Sequence, residues 1–190
     1  MQYIAFYKPF EVLSQFTDDQ GRRTLMDFIP IRDVYVAGRL DYRSEGLLFL
    51  TNDGPMIQRL TDPRFEHTKS YLVQVEGLIP LETLQRLSTE IVLPGLQTRL
   101  TTVNPIQAPD IPARSKPVRI YHPTSWIQIT LTEGKKHQVR RMTAAIGYPT
   151  LRLVRWAIGR LTLEGLLPGQ WRKLSSTEII QMKADLRIDA

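Results

Sequence analysis

The 190-residue chain has no cysteine and only three histidines. The first absence excludes disulfides, thiolate nucleophiles and zinc–sulfur sites. His67, His122 and His137 lie far apart, with no carboxylate at ligand spacing on a shared helix, so no metal site is expected. No apolar run approaches the ~20 residues that span a bilayer. The N-terminal "MQYIAFYKPFEVLSQF" lacks the basic-then-apolar layout of a signal peptide and reads as strand. A cytoplasmic address without membrane contact is the expectation. There is no G-x-S-x-G turn for a serine hydrolase, no G-x-x-x-x-G-K-[ST] loop for phosphates and no internal repeat.

The charge that is present is unevenly placed. Residues 133–160 hold seven basic side chains against one acid, Glu133, and the remaining 18 basic and 18 acidic residues cancel. This segment therefore carries the whole excess of +6. Such a field attracts polyanions, although a solvated charged face would have the same composition.

Along the chain, residues 2–8 and 34–37 read as strands, with "TLMDFI" a short helix between them. "GLLFLT" (46–51) is a continuous apolar run between turn residues, as in a strand covered on both faces. "PMIQRLTD" opens with Pro55 in a first helical turn, where proline is tolerated. "KSYLVQVEG" alternates Tyr71, Val73 and Val75 on one face, and Pro80 opens a helix to about Leu87. Prolines 94, 105, 109, 112 and 117 make that stretch loop and edge strand. "VRIYHP" and "SWIQITLT" resume strand patterning. "HQVRRMTAAI" (137–146) is helical, with a stripe of Val139, Met142, Thr143 and Ile146. Ser175 and Glu178 form a capping-box pattern before a last helix. Strands outnumber helices and few strand–helix–strand units alternate, so the fold class is α+β with mostly antiparallel pairing.

In "GRLDYRSEGLLFLTNDG" (38–54), Asp41 stands between arginines at the entry to an apolar strand. A carboxylate there can be a turn residue, a nucleophile or an electrostatic stabiliser. Asp41 with Glu45 could also make a glycosidase pair, but a basic protein fits neutral sugars poorly.

Four blocks in order, "KPFEVLSQF" (8–16), residues 38–54, "KSYLVQVEG" (69–77) and "EGKKHQVRRMTAAIGYPTLRLVRWAIG" (133–159), resemble the RsuA-type ribosomal RNA pseudouridine synthases. Within that family, "QFTDDQGRRTLMDFIP" and "PTSW" are most similar to the large-subunit synthase E group. The first block begins at Lys8, so no S4-like RNA-binding domain is expected, and residues 1–190 are expected to form a single catalytic domain.

The resemblance implies two subdomains around a long mixed, mainly antiparallel sheet with a central cleft. It implies isomerisation of uridine to pseudouridine, most plainly in 23S ribosomal RNA. That reaction exchanges no electrons, so no cofactor and no metal are called for. Small-subunit RNA, tRNA or a non-catalytic role in ribosome assembly stay open. Asp41 matches the family's nucleophilic aspartate, Arg140 the arginine that pairs with it, and Tyr71 the active-site tyrosine. Arg39, Lys69, Lys135, Lys136, Arg141, Arg152 and Arg155 are expected phosphate contacts. The partner implied is ribosomal RNA, and the enzyme is expected to be a monomer. Arg43 departs from the pattern, since family members often carry an acid two residues past the aspartate.

Overall fold

Continuous apolar strands with turn residues at their ends give a sheet that must be covered on both faces. The computed structural model describes residues 1–89, 92–99 and 101–188. The strands are β1 (Tyr3–Lys8), β2 (Tyr35–Val36), β3 (Glu45–Thr51), β4 (Lys69–Glu76), β5 (Val92–Leu93), β6 (Leu96–Gln97), β7 (Thr102–Ile106), β8 (Thr124–Leu131), β9 (Thr150–Ile158), β10 (Leu161–Thr162) and β11 (Trp171–Lys173). Four helices, α1 (Gly54–Thr61), α2 (Leu81–Leu87), α3 (Gln138–Ala145) and α4 (Ser176–Asp185), pack around them. No helix among the described residues is long and apolar enough to cross a membrane.

One nine-stranded sheet runs β11-β1-β3-β9-β4-β8-β7, with β2 on β3 and β10 on β9, while β5 and β6 form a separate hairpin. Its pairings are antiparallel except β3 with β9, which touch in register only at Glu45–Val154 and Gly46–Arg155. This short parallel seam joins two antiparallel halves. Gly46 makes the seam possible: its φ is +114°, and a Cβ there would lie 2.4 Å from the Arg155 carbonyl oxygen.

Every residue of β3 is buried. Leu48 and Leu50 join Tyr71, Val73, Val75, Val139 and Met142 in one core. Leu47 and Phe49 join Met56, Leu60, Leu72 and Met182 in the other, which explains why "GLLFLT" shows no polar face. The alternation in β4 and the stripe on α3 thus face one layer, as the sequence pattern implied. Pro105 sits in β7, the edge strand, where a missing N–H costs no ladder bond. The Ser175–Glu178 capping box closes as expected, with Glu178 N to Ser175 Oγ at 3.2 Å and Ser175 N to Glu178 Oε2 at 2.8 Å.

Two expectations need correction. "VRIYHP" (118–123) is not strand but the end of the loop into β8. It has alternation but no partner, and Ile120 and Tyr121 are 58% and 76% exposed. Conversely, the central strand β9 escaped the pattern, because Arg152 and Arg155 interrupt its apolar residues.

Candidate active site

The segment 38–44 enters β3 beside the parallel seam, and its backbone is held by groups from distant parts of the chain. Arg155 Nη2 donates to the Gly38 carbonyl at 2.8 Å. Ser14 Oγ accepts from Leu40 N at 3.1 Å and donates to Leu40 O at 2.8 Å. Asp41 O accepts from Ser44 N (2.9 Å), and Tyr42 O accepts from Glu11 N (3.0 Å). Arg140 Nη2 donates to Arg43 O at 2.9 Å. A turn gripped at Gly38 and at each of the four residues 40–43 cannot wander, so the Asp41 side chain is pre-placed.

Lys8 contributes from beneath. It is fully buried, and its Nζ donates to Val12 O at 2.7 Å, Pro9 O at 2.9 Å and Tyr42 O at 3.4 Å. Burial pulls its pKa down to about 7, against the attraction of Glu45 and Asp41. The "KPF" block therefore fastens the aspartate turn to the end of β1.

Asp41 opens onto a cleft of about 600 Å³. This is large enough for a nucleotide-sized ligand. Tyr71, Arg39, Lys69, Lys135, Lys136, His137 and Arg155 also line it. Tyr71 is 8% exposed on β4, directly opposite Arg155 in register. The Arg155 guanidinium reaches its hydroxyl and also donates to Leu47 O at 2.7 Å. Lys69 Nζ donates to His67 O at 2.9 Å, and burial, helped by the Arg155 charge, lowers its pKa to about 8.

The expected residues divide into three groups. Asp41, Tyr71, Arg39, Lys69, Lys135, Lys136 and Arg155 are brought together at the cleft, whereas Arg140, Arg141 and Arg152 stay off its walls. Arg140 makes no hydrogen bond to Asp41: its donors go to Arg43 O and to Thr150 O at 3.3 Å, although it lies within the field of the carboxylate. Arg141 donates to the carbonyls of Pro94 and Gly95.

Arg152 and Arg155 are corrected as phosphate contacts. Arg152 makes a two-pronged bond to Glu45 at 2.9 and 3.0 Å, both side chains being buried. Arg155 is 2% exposed and its donors are taken by Leu47, Gly38 and Tyr71. A guanidinium buried with fixed acceptors is not free to receive a backbone phosphate. Lys135 is also tied, to Glu133 at 3.1 Å and to the Gln97 carbonyl.

His137 was passed over, having been weighed only as a metal ligand. It caps α3 in the left-handed region, φ 53°, and its Nε2 stands 3.5 Å from Asp41 Oδ1. Its place in the same block as Arg140 was the available signal. Among the described residues no three His, Asp or Glu side chains gather as a metal site requires.

Comparison with known proteins bears on this cleft. A family profile described as RNA pseudouridylate synthase matches residues 2–145. The ribosomal large subunit pseudouridine synthase E of Vibrio parahaemolyticus is 50% identical over 173 residues, covering 90% of this chain and 73% of that protein. The protein of the same name from Xanthomonas campestris is 50% identical over 174 residues, covering 89% and 93%. Ribosomal large subunit pseudouridine synthase B of Bacillus subtilis is 38% identical over 187 residues, covering 96% and 71%. A crystal structure of a pseudouridylate synthase superposes with a TM-score of 0.78 at 28% identity, covering 95% of this chain and 73% of that one.

Proposed function

Because the chain belongs to the RNA pseudouridylate synthase family, we propose that it isomerises uridine to pseudouridine in large-subunit ribosomal RNA, with Asp41 as the nucleophile. The observation that carries this reading is the placement of Asp41. Its carboxylate opens into the cleft from a turn clamped at successive peptides, with Tyr71 also on the wall.

The chemistry runs without electron transfer. An Asp41 oxygen attacks ribose C1′, and the N1–C1′ bond breaks with its electron pair left on uracil. The base turns within the cleft and C5 attacks C1′, releasing the carboxylate. The proton on C5 passes to solvent and N1 takes one up, so atoms balance and no cofactor enters. The Tyr71 ring supplies a face on which the base rests, and its hydroxyl is steadied by the Arg155 guanidinium. Arg140 acts through position: by gripping the Arg43 carbonyl it holds the aspartate turn.

Arg39 and Lys136, which have no side-chain partner among the described residues, are with Lys69 in the same wall the phosphate contacts in this reading, while Lys135 stays with Glu133. Arg141 belongs to the outer flank. The names of the relatives point to large-subunit ribosomal RNA; the 23S molecule is the substrate in this reading, with a cytoplasmic site of action. In this reading residues 1–190 act as one catalytic domain and the enzyme is a monomer.

Asp41→Asn tests the reading. The amide keeps the shape but is not an anionic nucleophile, so pseudouridine formation should fall to background while RNA affinity stays within a few-fold. A variant retaining a substantial part of the wild-type single-turnover rate would remove Asp41 from the mechanism.

A further inference from the structure

Most cations near the cleft already have partners. Arg152 is held by Glu45, Lys116 by Glu11 at 3.6 Å, Lys135 by Glu133 and Lys8 by three carbonyls. Arg43 differs. It is exposed, and its side chain has no hydrogen-bond or ion-pair partner among the described residues. It also stands two residues past Asp41, on the same turn.

Two further guanidinium groups lie beside it. Arg140 is bonded to the Arg43 carbonyl itself. Arg114, from the loop between β7 and β8, stacks over the Phe10 ring at 4.0 Å and is steadied by the carbonyls of Lys116 and Pro117. Burial is the main reason the Arg140 pKa is lowered, and repulsion from Arg114 and Arg43 adds to it, against the attraction of Asp41 and Glu45. Phe10 adjoins Glu11, whose N–H donates to Tyr42 O, so Arg114 and Arg140 are both fastened to the turn that carries Arg43. The nearby acids are committed: Glu45 to Arg152, Glu11 to Lys116, and Asp41 to the cleft, with His137 at 3.5 Å. The result is three guanidinium groups gathered about the 41–44 turn, of which Asp41 and Ser44 line the cleft.

We propose that Arg43, Arg114 and Arg140 form a seat for the phosphodiester of the nucleotide adjoining the target uridine. A base that enters the cleft beside Asp41 carries its own backbone linkage to the rim, and this cluster lies at that rim. Two of the guanidinium groups are held rigid, by carbonyls or by a ring, and the third is free to close over the phosphate. Planar guanidinium forks match phosphate oxygens in pairs. Seating the linkage here offsets the unstacking cost of extruding the base, a few kcal/mol. The inference rests on the cleft being the uridine site, but not on which residue attacks the sugar.

The test is filter binding over a salt series with a 12-nucleotide oligouridylate (length on the order of one single-strand site) and with the same RNA carrying neutral methylphosphonate linkages. Arg43→Ala should lower affinity for the phosphodiester RNA about fivefold at low salt, in keeping with one exposed charge contact. The slope of log K against log salt should fall by about 0.7, one single-strand phosphate. Arg43→Glu should lose more, and its preference for phosphodiester over methylphosphonate should shrink. Lys173→Glu, which makes the same change of net charge on the far edge strand β11, serves as the comparison. An unchanged salt slope in Arg43→Ala, or an equal loss in Lys173→Glu, would overturn the seat. These binding results stand whether or not Asp41→Asn abolishes turnover, so failure of the seat and failure of the nucleophile assignment are told apart.

Discussion

The interior of the parallel seam and the rim of the cleft use the same side chains for opposite ends. Inside, Lys8, Arg152 and Arg155 are buried; Arg152 and Arg155 bond across the seam to Glu45 and Leu47, and Lys8 to the carbonyls of Pro9, Val12 and Tyr42. At the rim, Arg39, Arg43 and Lys136 are exposed and have no side-chain partner among the described residues. A buried cation is costly unless paired, so the inner set acts as fasteners for the turn that carries Asp41. A solvated cation is cheap to leave open, so the outer set is available to an incoming polyanion. Charge by itself therefore does not mark the RNA surface here, and burial separates the two roles.

The largest effect should come from breaking an inner fastener. Glu45→Gln leaves the Arg152 guanidinium buried without its anion, and should cost about 3–5 kcal/mol of stability in chemical denaturation. A loss below about 1 kcal/mol would mean that solvent reaches this pair and that the inside–outside distinction is weaker than the burial implies.

A smaller effect is expected from pH. Burial holds the folded pKa of Lys8 near 7 and of Lys69 near 8, against 10.5 in an ordinary lysine. Between those values the unfolded chain binds more protons than the folded one, so stability rises with pH across that window. Burial raises Tyr3 and Tyr7 to about 12 from 10.0, and their contribution has the opposite sign above pH 10. The melting temperature should climb by several degrees from pH 7, peak near pH 10 and then decline (estimates of order from). Lys69→Met should flatten part of the climb. A steady fall between pH 7 and 9.5 would show that these lysines are not desolvated in the folded state.

The smallest effect on stability belongs to the rim. Arg39→Ala combined with Lys136→Ala should leave stability within about 0.5 kcal/mol. The same double variant should lower the salt slope of single-stranded RNA binding by about 1.4, two phosphates. Adding Lys135→Ala should change the slope little further, since Glu133 and the Gln97 carbonyl hold that lysine. A melting shift as large as that of Glu45→Gln would place the rim residues among the fasteners.

Much of the fold was legible because local chemistry and burial agree. β1 and β3 show the continuous apolar pattern that two covered faces require, β4 and β8 show alternation, and Ser175 with Glu178 caps α4 within four residues. β9 was not legible. Its arginines read as a solvated basic run until their acceptors are known, and those acceptors, Glu45 and Leu47, lie 107 and 108 positions away. "VRIYHP" failed in the opposite sense, since alternation predicts a strand only where a partner is at hand.

By itself, then, the sequence determined the α+β class, the order of the main elements, the family motifs around Asp41, Tyr71 and Arg140, and the concentration of positive charge after residue 132. Tertiary structure alone decided which of those charges face inward. It set His137 beside Asp41, left Arg140 holding the aspartate turn by its backbone, and gathered Arg43 and Arg114 at the rim. The reason is physical: helix and strand patterns are written in neighbouring residues. The state of a charged side chain depends instead on solvent exclusion and on acceptors supplied from the other side of the seam.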